Sequence, residues 1–170
     1  MLSIKIPRKK MKKYLLFLVV LTTVSCNLNK NTNQEELQSK LDSLIDKWHH
    51  SATIADEDFF FSLLGSDAVY LGTDPKERWL KSEFISWSIK YFERDTAWAF
   101  YPYNRIWEFS DNYKYAWFDE LLKTHMGVCR GSGVMALKND KWEIRHYNLA
   151  LTLPNEQMNN FRELQGIRKY

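Results

Sequence analysis

Residues 113–153 read YKYAWFDELLKTHMGVCRGSGVMALKNDKWEIRHYNLALTL. Three long strand-like runs stand out: Tyr113–Leu122, Val128–Lys138 and Trp142–Leu153. Short turn-like segments, Lys123 to Gly127 and Asn139-Asp140, separate them. Such runs read as strands, and Asn-Asp between two of them reads as a two-residue hairpin. A fourth run, Trp98–Phe109, precedes them across Ser110-Asp111-Asn112, and its Pro102 marks an edge or a bulge.

Upstream the period changes. Leu37, Leu41, Leu44, Ile45 and Trp48 recur at helical spacing behind a capping-box pair, Thr32 and Glu35. A second helix is expected over Asp56–Leu64 and a third over Ser82–Phe92. Between them Ala68–Gly72 reads as a strand, stopped by Asp74-Pro75. Helices followed by a meander of antiparallel strands make a single α+β domain.

Several short motifs agree with one known architecture. Ala116-Trp117-Phe118-Asp119-Glu120, Gly127 to Val134, Trp142-Glu143-Ile144, Tyr147-Asn148-Leu149 and Pro154-Asn155-Glu156 resemble the SnoaL-like branch of the nuclear transport factor 2-like superfamily. Gly72-Thr73-Asp74 and Arg78-Trp79 fit the same pattern. The resemblance implies a cone: a curved antiparallel sheet wrapped around about three N-terminal helices, with a pocket at the open end. It also allows a homodimer through the outer sheet face. Relatives include isomerases, cyclases, dehydratases and non-catalytic binding domains, so the fold does not fix the function.

Strand alternation assigns faces. If Asn139-Asp140 is the turn, Leu137 opposes Trp142, Met135 opposes Ile144 and Gly133 opposes His146. Centring the preceding loop on His125 places Trp117 opposite Gly133, and Asp119 opposite Gly131. One face then collects Trp117, Asp119, Leu121, Cys129, Gly131, Gly133, Met135, Leu137, Trp142, Ile144, His146 and Asn148. Being the more apolar face, it is expected to be concave. Asp119, His146 and Asn148 then converge on the space beside two glycines, which is how a ligand pocket reads. A three-residue turn at Ser110-Asp111-Asn112 adds Tyr103 and Arg105 to this face, a two-residue turn adds Asn104 and Ile106, and a bulge flips the faces.

On this reading Asp119 and His146 are candidate general acid and base. Trp98, Tyr103, Arg105, Trp117 and Asn148 are candidate ligand contacts. The plainer alternative makes Asp119 an internal ion-pair partner of Arg105, His146 a satisfied core histidine and Trp117 core. Glu120 and Arg130 are expected to pair across strands on the outer face. His49 and His50 are adjacent on a helix and point about 100° apart, so they form no chelate. No metal site or cofactor is expected, and Cys129 reads as a buried, inert thiol.

The amino terminus carries Lys5, Arg8, Lys9, Lys10, Lys12 and Lys13, then the apolar run Tyr14–Val24. A basic stretch before an apolar run this short reads as a signal peptide, not a membrane span. The run ends in Thr23-Val24-Ser25-Cys26, which resembles a bacterial lipoprotein signal with Thr23 where Leu is usual. The expected organisation is a signal at 1–25, a lipid on Cys26, a tether at 26–33, the domain at 34–156 and a C-terminal extension at 157–170 with a short helix. Such a protein is held in the cell envelope, on the periplasmic or outer-membrane side.

The chain has 170 residues, 24 Lys+Arg and 21 Asp+Glu. Six of the basic residues and none of the acids fall in 1–25, so the remainder has 18 basic against 21 acidic residues. The apparent basicity is export signal and does not indicate nucleic-acid binding. A hydrophobic content of 45% argues against disorder, and 2 Cys argue against a disulfide scaffold. The preferred reading is a membrane-anchored domain binding a small, partly apolar ligand; the alternative is an isomerase, cyclase or dehydratase using Asp119 and His146. Cys26→Ala is expected to block processing or release the protein to the soluble fraction, and unchanged membrane fractionation of that variant would remove the lipoprotein reading.

Overall fold

The computed structural model describes residues 33–167. The expected signal peptide, Cys26 and the Thr32 cap lie outside the described residues. The chain divides into two units between Ser43 and Leu44. Of the first unit, residues 33–43 are described, and they are helical. The second unit carries the sheet and the remaining helices.

Helix α1 covers 33–53. Within the second unit its buried stripe is Ile45, Trp48, His49 and Ala52. Helix α2 is Glu57–Ser62, started by Asp56, whose carboxylate accepts from the Phe59 N–H at 3.0 Å. Strand β1 is Leu64–Leu71 and β2 is Arg78–Leu80. Helix α3 is Lys81–Phe92, and its Glu83 side chain reaches back to the Leu80 N–H at 2.8 Å. Strands β3 (Tyr101–Phe109), β4 (Tyr115–Thr124), β5 (Gly127–Lys138) and β6 (Lys141–Leu151) follow. A 3-10 turn at Asn155–Gln157 leads into α4, Met158–Leu164. Among the described residues no helix is long and apolar enough to cross a membrane.

The α+β class and the curved sheet hold. The six strands run in the order β2-β1-β6-β5-β4-β3, and the sheet is not closed. All neighbours are antiparallel except β1 and β6, which are parallel. The short strand β2 has no counterpart in the sequence reading. The Asn139-Asp140 hairpin forms as expected, with positive φ at both residues (50° and 59°). Leu137 opposes Trp142 and Met135 opposes Ile144, again as expected.

Beyond those pairs the expected register fails twice. The β4–β5 loop holds two residues, His125 and Met126, because Thr124 pairs with Gly127. The Thr124 hydroxyl tightens this turn, accepting from the Met126 N–H and donating to the Gly127 carbonyl, each at 3.0 Å. In β6 the register shifts at Arg145, so Tyr147 and not His146 opposes Gly133. Each shift is one residue, and each exchanges the two faces. The inner face of β4 is therefore Ala116, Phe118, Glu120 and Leu122, all buried. Trp117, Asp119 and Leu121 belong to the outer face. The β3–β4 turn is longer than either alternative considered, and it sets Ile106 opposite Asp119 and Glu108 opposite Trp117. Asn104, at φ 52°, lies where the β3 register shifts.

Aromatic rings fill the space against the sheet. Trp48 stacks on Phe60 at 4.9 Å, meets Tyr147 edge-on at 4.8 Å, and donates its indole N–H to the Phe60 carbonyl. Cys129 is buried and free. Gly133 is required by Phe118: a Cβ there would lie 2.4 Å from a ring carbon. Gly133→Ala is expected to lose about 1–3 kcal/mol by overpacking. Urea unfolding checks it, and an unchanged midpoint would mean that Phe118 is free to move aside.

Candidate functional site

Two polar features and one cavity compete as the site, and each lies within the second unit. The first feature is a buried charge cluster. Glu120 is 0% exposed. Its Oε1 meets His49 Nε2 at 2.7 Å and accepts from the Tyr147 hydroxyl at 3.2 Å. Its Oε2 accepts from Arg105 Nε at 2.9 Å and Nη2 at 2.8 Å. Arg105 Nη2 also donates to Asp46 at 2.8 Å. Burial alone would raise the Glu120 pKa, but the His49 and Arg105 contacts outweigh it and hold the carboxyl below its usual value. Burial, reinforced by the Glu120 charge, pushes the Tyr147 phenol well up, so it stays a neutral donor.

The second feature is a depression on the outer sheet face. It is lined by Ile106, Trp117, Asp119, Val134, His146 and Asn148, among others. Asp119 pairs with Arg130 here, and the Asp119 side chain is 43% exposed. Trp117 is 45% and Ile106 61% exposed. His146 is half-buried on this face, and the Asp119 carboxylate is engaged by Arg130.

The cavity lies where β1, β2 and α3 meet the segment before β3. Its volume is about 320 Å³. Phe84, Trp87 and Tyr91 line it from α3, and their three- and four-residue spacing puts them on one helix face. Tyr70 on β1 and Trp79 on β2 are register partners and line it together. Trp98 and Phe100 close the opposite side; the Ala97 and Trp98 N–H groups are pinned to the Ala52 carbonyl at 3.0 and 3.4 Å. Tyr70 stacks on Phe84 at 4.0 Å, and Trp79 on Trp87 at 4.5 Å. Thr73, Glu77, Arg94 and His125 bring the polar side chains.

Glu77 is placed by its loop. The Glu77 N–H donates to the Asp74 carbonyl at 2.9 Å, and Glu77 Oε2 accepts from the Asp74 N–H at 3.1 Å. Gly72 makes room for that carboxylate, since a Cβ there would lie 2.2 Å from Glu77 Oε2. Among the described residues no group of three or more His, Cys, Asp or Glu side chains could hold a metal ion.

The sequence-derived candidates scatter over these features. Trp98 lines the cavity. Arg105 belongs to the buried cluster, paired with Glu120 and not with Asp119. Tyr103 is half-buried on β3, with Lys123 Nζ 5.7 Å from its ring centroid. Trp117, Asp119, His146 and Asn148 lie on the outer face, so the expected convergence of the three polar residues inside the sheet is corrected by the register. Arg130 pairs with Asp119, while Glu120, its expected partner, faces inward. Tyr70, Glu77, Arg94 and His49 are not among the sequence-derived candidates. The position of His49 on the stripe Ile45, Trp48 and Ala52 was a signal that it faces the core.

Residues 41–154 match the family model of the SnoaL-like domain. The fold is similar to a solved NTF2-like protein of unknown function from Pseudomonas putida, with TM-score 0.59, 13% identity and coverage of 72% of this chain and 92% of that one. An NTF2-like protein from Cytophaga hutchinsonii gives TM-score 0.55 at 12% identity, covering 68% and 98%. A proposed ketosteroid isomerase from Parabacteroides distasonis gives 0.54 at 14%, covering 67% and 86%. At such identities the likeness carries the fold. No curated protein matches the sequence.

Glu120→Gln is expected to destabilise the fold by about 3–5 kcal/mol, because Arg105 and His49 lose the buried carboxylate they share, while Asp46 still pairs with Arg105. The folded pKa of Glu120 is lowered, so its contribution is complete above the unfolded carboxylate value, about 4.3. It is lost as pH falls through the folded value. Acid unfolding should therefore steepen below about pH 4.3 in the wild type and flatten in the variant. Parallel acid limbs in the two proteins would remove this account.

Proposed function

The chain belongs to the SnoaL-like domain family, and on that premise we propose that it binds a small, partly apolar ligand in the aromatic cavity. The observation that carries this reading is the lining: seven aromatic rings with a few polar groups among them. Ligand sites have this composition, and about 320 Å³ lies at the small end of their usual range of roughly 300–1,000 Å³. Binding is favoured over catalysis because the acid and base foreseen for catalysis, Asp119 and His146, lie on the outer sheet face apart from this cavity, with Asp119 paired to Arg130. The proposal includes the envelope location: a lipid on Cys26 would hold the domain at a membrane, where it meets exported or imported small molecules.

Native mass spectrometry of the protein extracted from membranes, followed by identification of any released molecule, tests the reading directly. Trp98→Ala is expected to weaken binding of that molecule by about ten-fold or more, since each tenfold is about 1.4 kcal/mol and an aromatic wall supplies at least that on truncation. Asp119→Asn is expected to leave binding unchanged. Binding that follows Asp119 and ignores Trp98 would move the site to the outer face.

A further inference from the structure

The cavity's polar groups are unevenly matched. Tyr70 is 7% exposed, yet its hydroxyl has no hydrogen-bond partner among the described residues. There, the side-chain atoms sealed from solvent without a partner are Glu143 Oε1 and Arg145 Nε. The phenol oxygen of Tyr70 is therefore not sealed, and Tyr70 is among the residues that line the cavity. Burial, then the Glu77 charge, pushes its ionisation far above the usual tyrosine range, so it offers a neutral O–H. The indole N–H groups of Trp79, Trp87 and Trp98 likewise have no acceptor among the described residues.

At the rim, Arg94 has no carboxylate partner among the described residues. Its guanidinium lies 4.8 Å from the Tyr91 ring centroid, and Lys90 Nζ lies 5.2 Å from the same ring. His125 is also at this cavity. Against these stands one carboxylate, Glu77, whose Oε2 is already engaged by a backbone N–H. Free donors outnumber free acceptors.

Aromatic walls by themselves would also suit a cationic ligand. Tyr91, however, already faces two cations, and a third would meet Arg94 uncompensated. An anion would meet an unpaired guanidinium, whose fork of donors fits a carboxylate. We propose that the cavity selects a planar acid of one or two rings, with its rings between the aromatic walls, its carboxylate on Arg94 and an oxygen substituent at the buried end on the Tyr70 hydroxyl. The proposal rests on the reading of the cavity as a ligand site.

Three probes separate the two layers of the argument: 6-hydroxy-2-naphthoate, its uncharged amide, and 2-naphthoate, titrated calorimetrically into the detergent-solubilised full chain. The hydroxynaphthoate is expected to bind about ten-fold tighter than the amide, a margin that narrows as salt is raised. Arg94→Gln should abolish the acid's advantage and leave the amide's affinity unchanged. Tyr70→Phe should abolish the advantage of hydroxynaphthoate over naphthoate, with thermal unfolding confirming that the variant is folded. Equal binding of acid and amide, or a preference that survives Arg94→Gln, overturns the acid class. A hydroxyl advantage that survives Tyr70→Phe overturns the buried contact. If acid and amide bind equally and both are lost in Trp98→Ala, the cavity remains a ligand site and only its selectivity is wrong. If no probe binds, or Trp98→Ala changes nothing, both readings fall.

Discussion

A carboxylate sealed inside the sheet commits this domain to one arrangement. Glu120 gathers His49 from α1, Arg105 from β3 and Tyr147 from β6 around two oxygens. Taking such a charge out of water costs several kcal/mol unless every partner is in place. Sliding β4 by one residue would turn Glu120 out to solvent and bring Asp119 in, breaking all three contacts at once. The ion cluster thus reinforces the register that the apolar pattern also favours, with Phe118 and Leu122 buried on the same side. Polar and apolar demands agree, which is the condition for a single register.

The same cluster accounts for two glycines. A Cβ on Gly131 would lie 2.4 Å from the Tyr147 hydroxyl and 2.9 Å from Glu120 Oε1, and one on Gly133 would strike Phe118. Their missing side chains leave no vacancy for a ligand; the space is taken by the carboxylate, the phenol and a ring. With that region filled, the cavity lies toward β1 and β2, walled by the stacked Trp79 and Trp87 and by Trp98. The linker before β3 is held there by two bonds from its backbone to the Ala52 carbonyl.

Element type was largely legible in the sequence because it rests on local periodicity. Hairpin chemistry at Asn139-Asp140 was equally local, and the two pairs nearest that turn followed. Legibility ended at Arg145, where a register shift depends on what the strand must reach: its guanidinium pairs with Asp67 of β1. It ended also at Thr124, whose side-chain hydrogen bonds shorten a loop that spacing alone left centred on His125. Two such shifts sent Asp119, His146 and Asn148 outward while Met135 and Ile144 stayed in. Parity arguments fail in this way because an error of one residue is an error of the whole face. Of the cavity only Trp98 was foreseen, since Tyr70, Trp79 and Arg94 come from separate elements and the sequence carries no pairing signal between them.

What separates structure from function among these polar groups is satisfaction. Every oxygen of the Glu120 carboxylate has partners, and both Arg105 nitrogens described above are spent on Glu120 and Asp46. A network of this kind rigidifies a core and asks for nothing more. Tyr70 is nearly as buried, but its hydroxyl has no partner among the described residues, and it faces a cavity whose other donors are equally idle. Leaving a polar group unpaired costs free energy, least where water can enter to satisfy it. Donors left open between aromatic walls, and not spent inside the fold, are what the proposed ligand reading rests on.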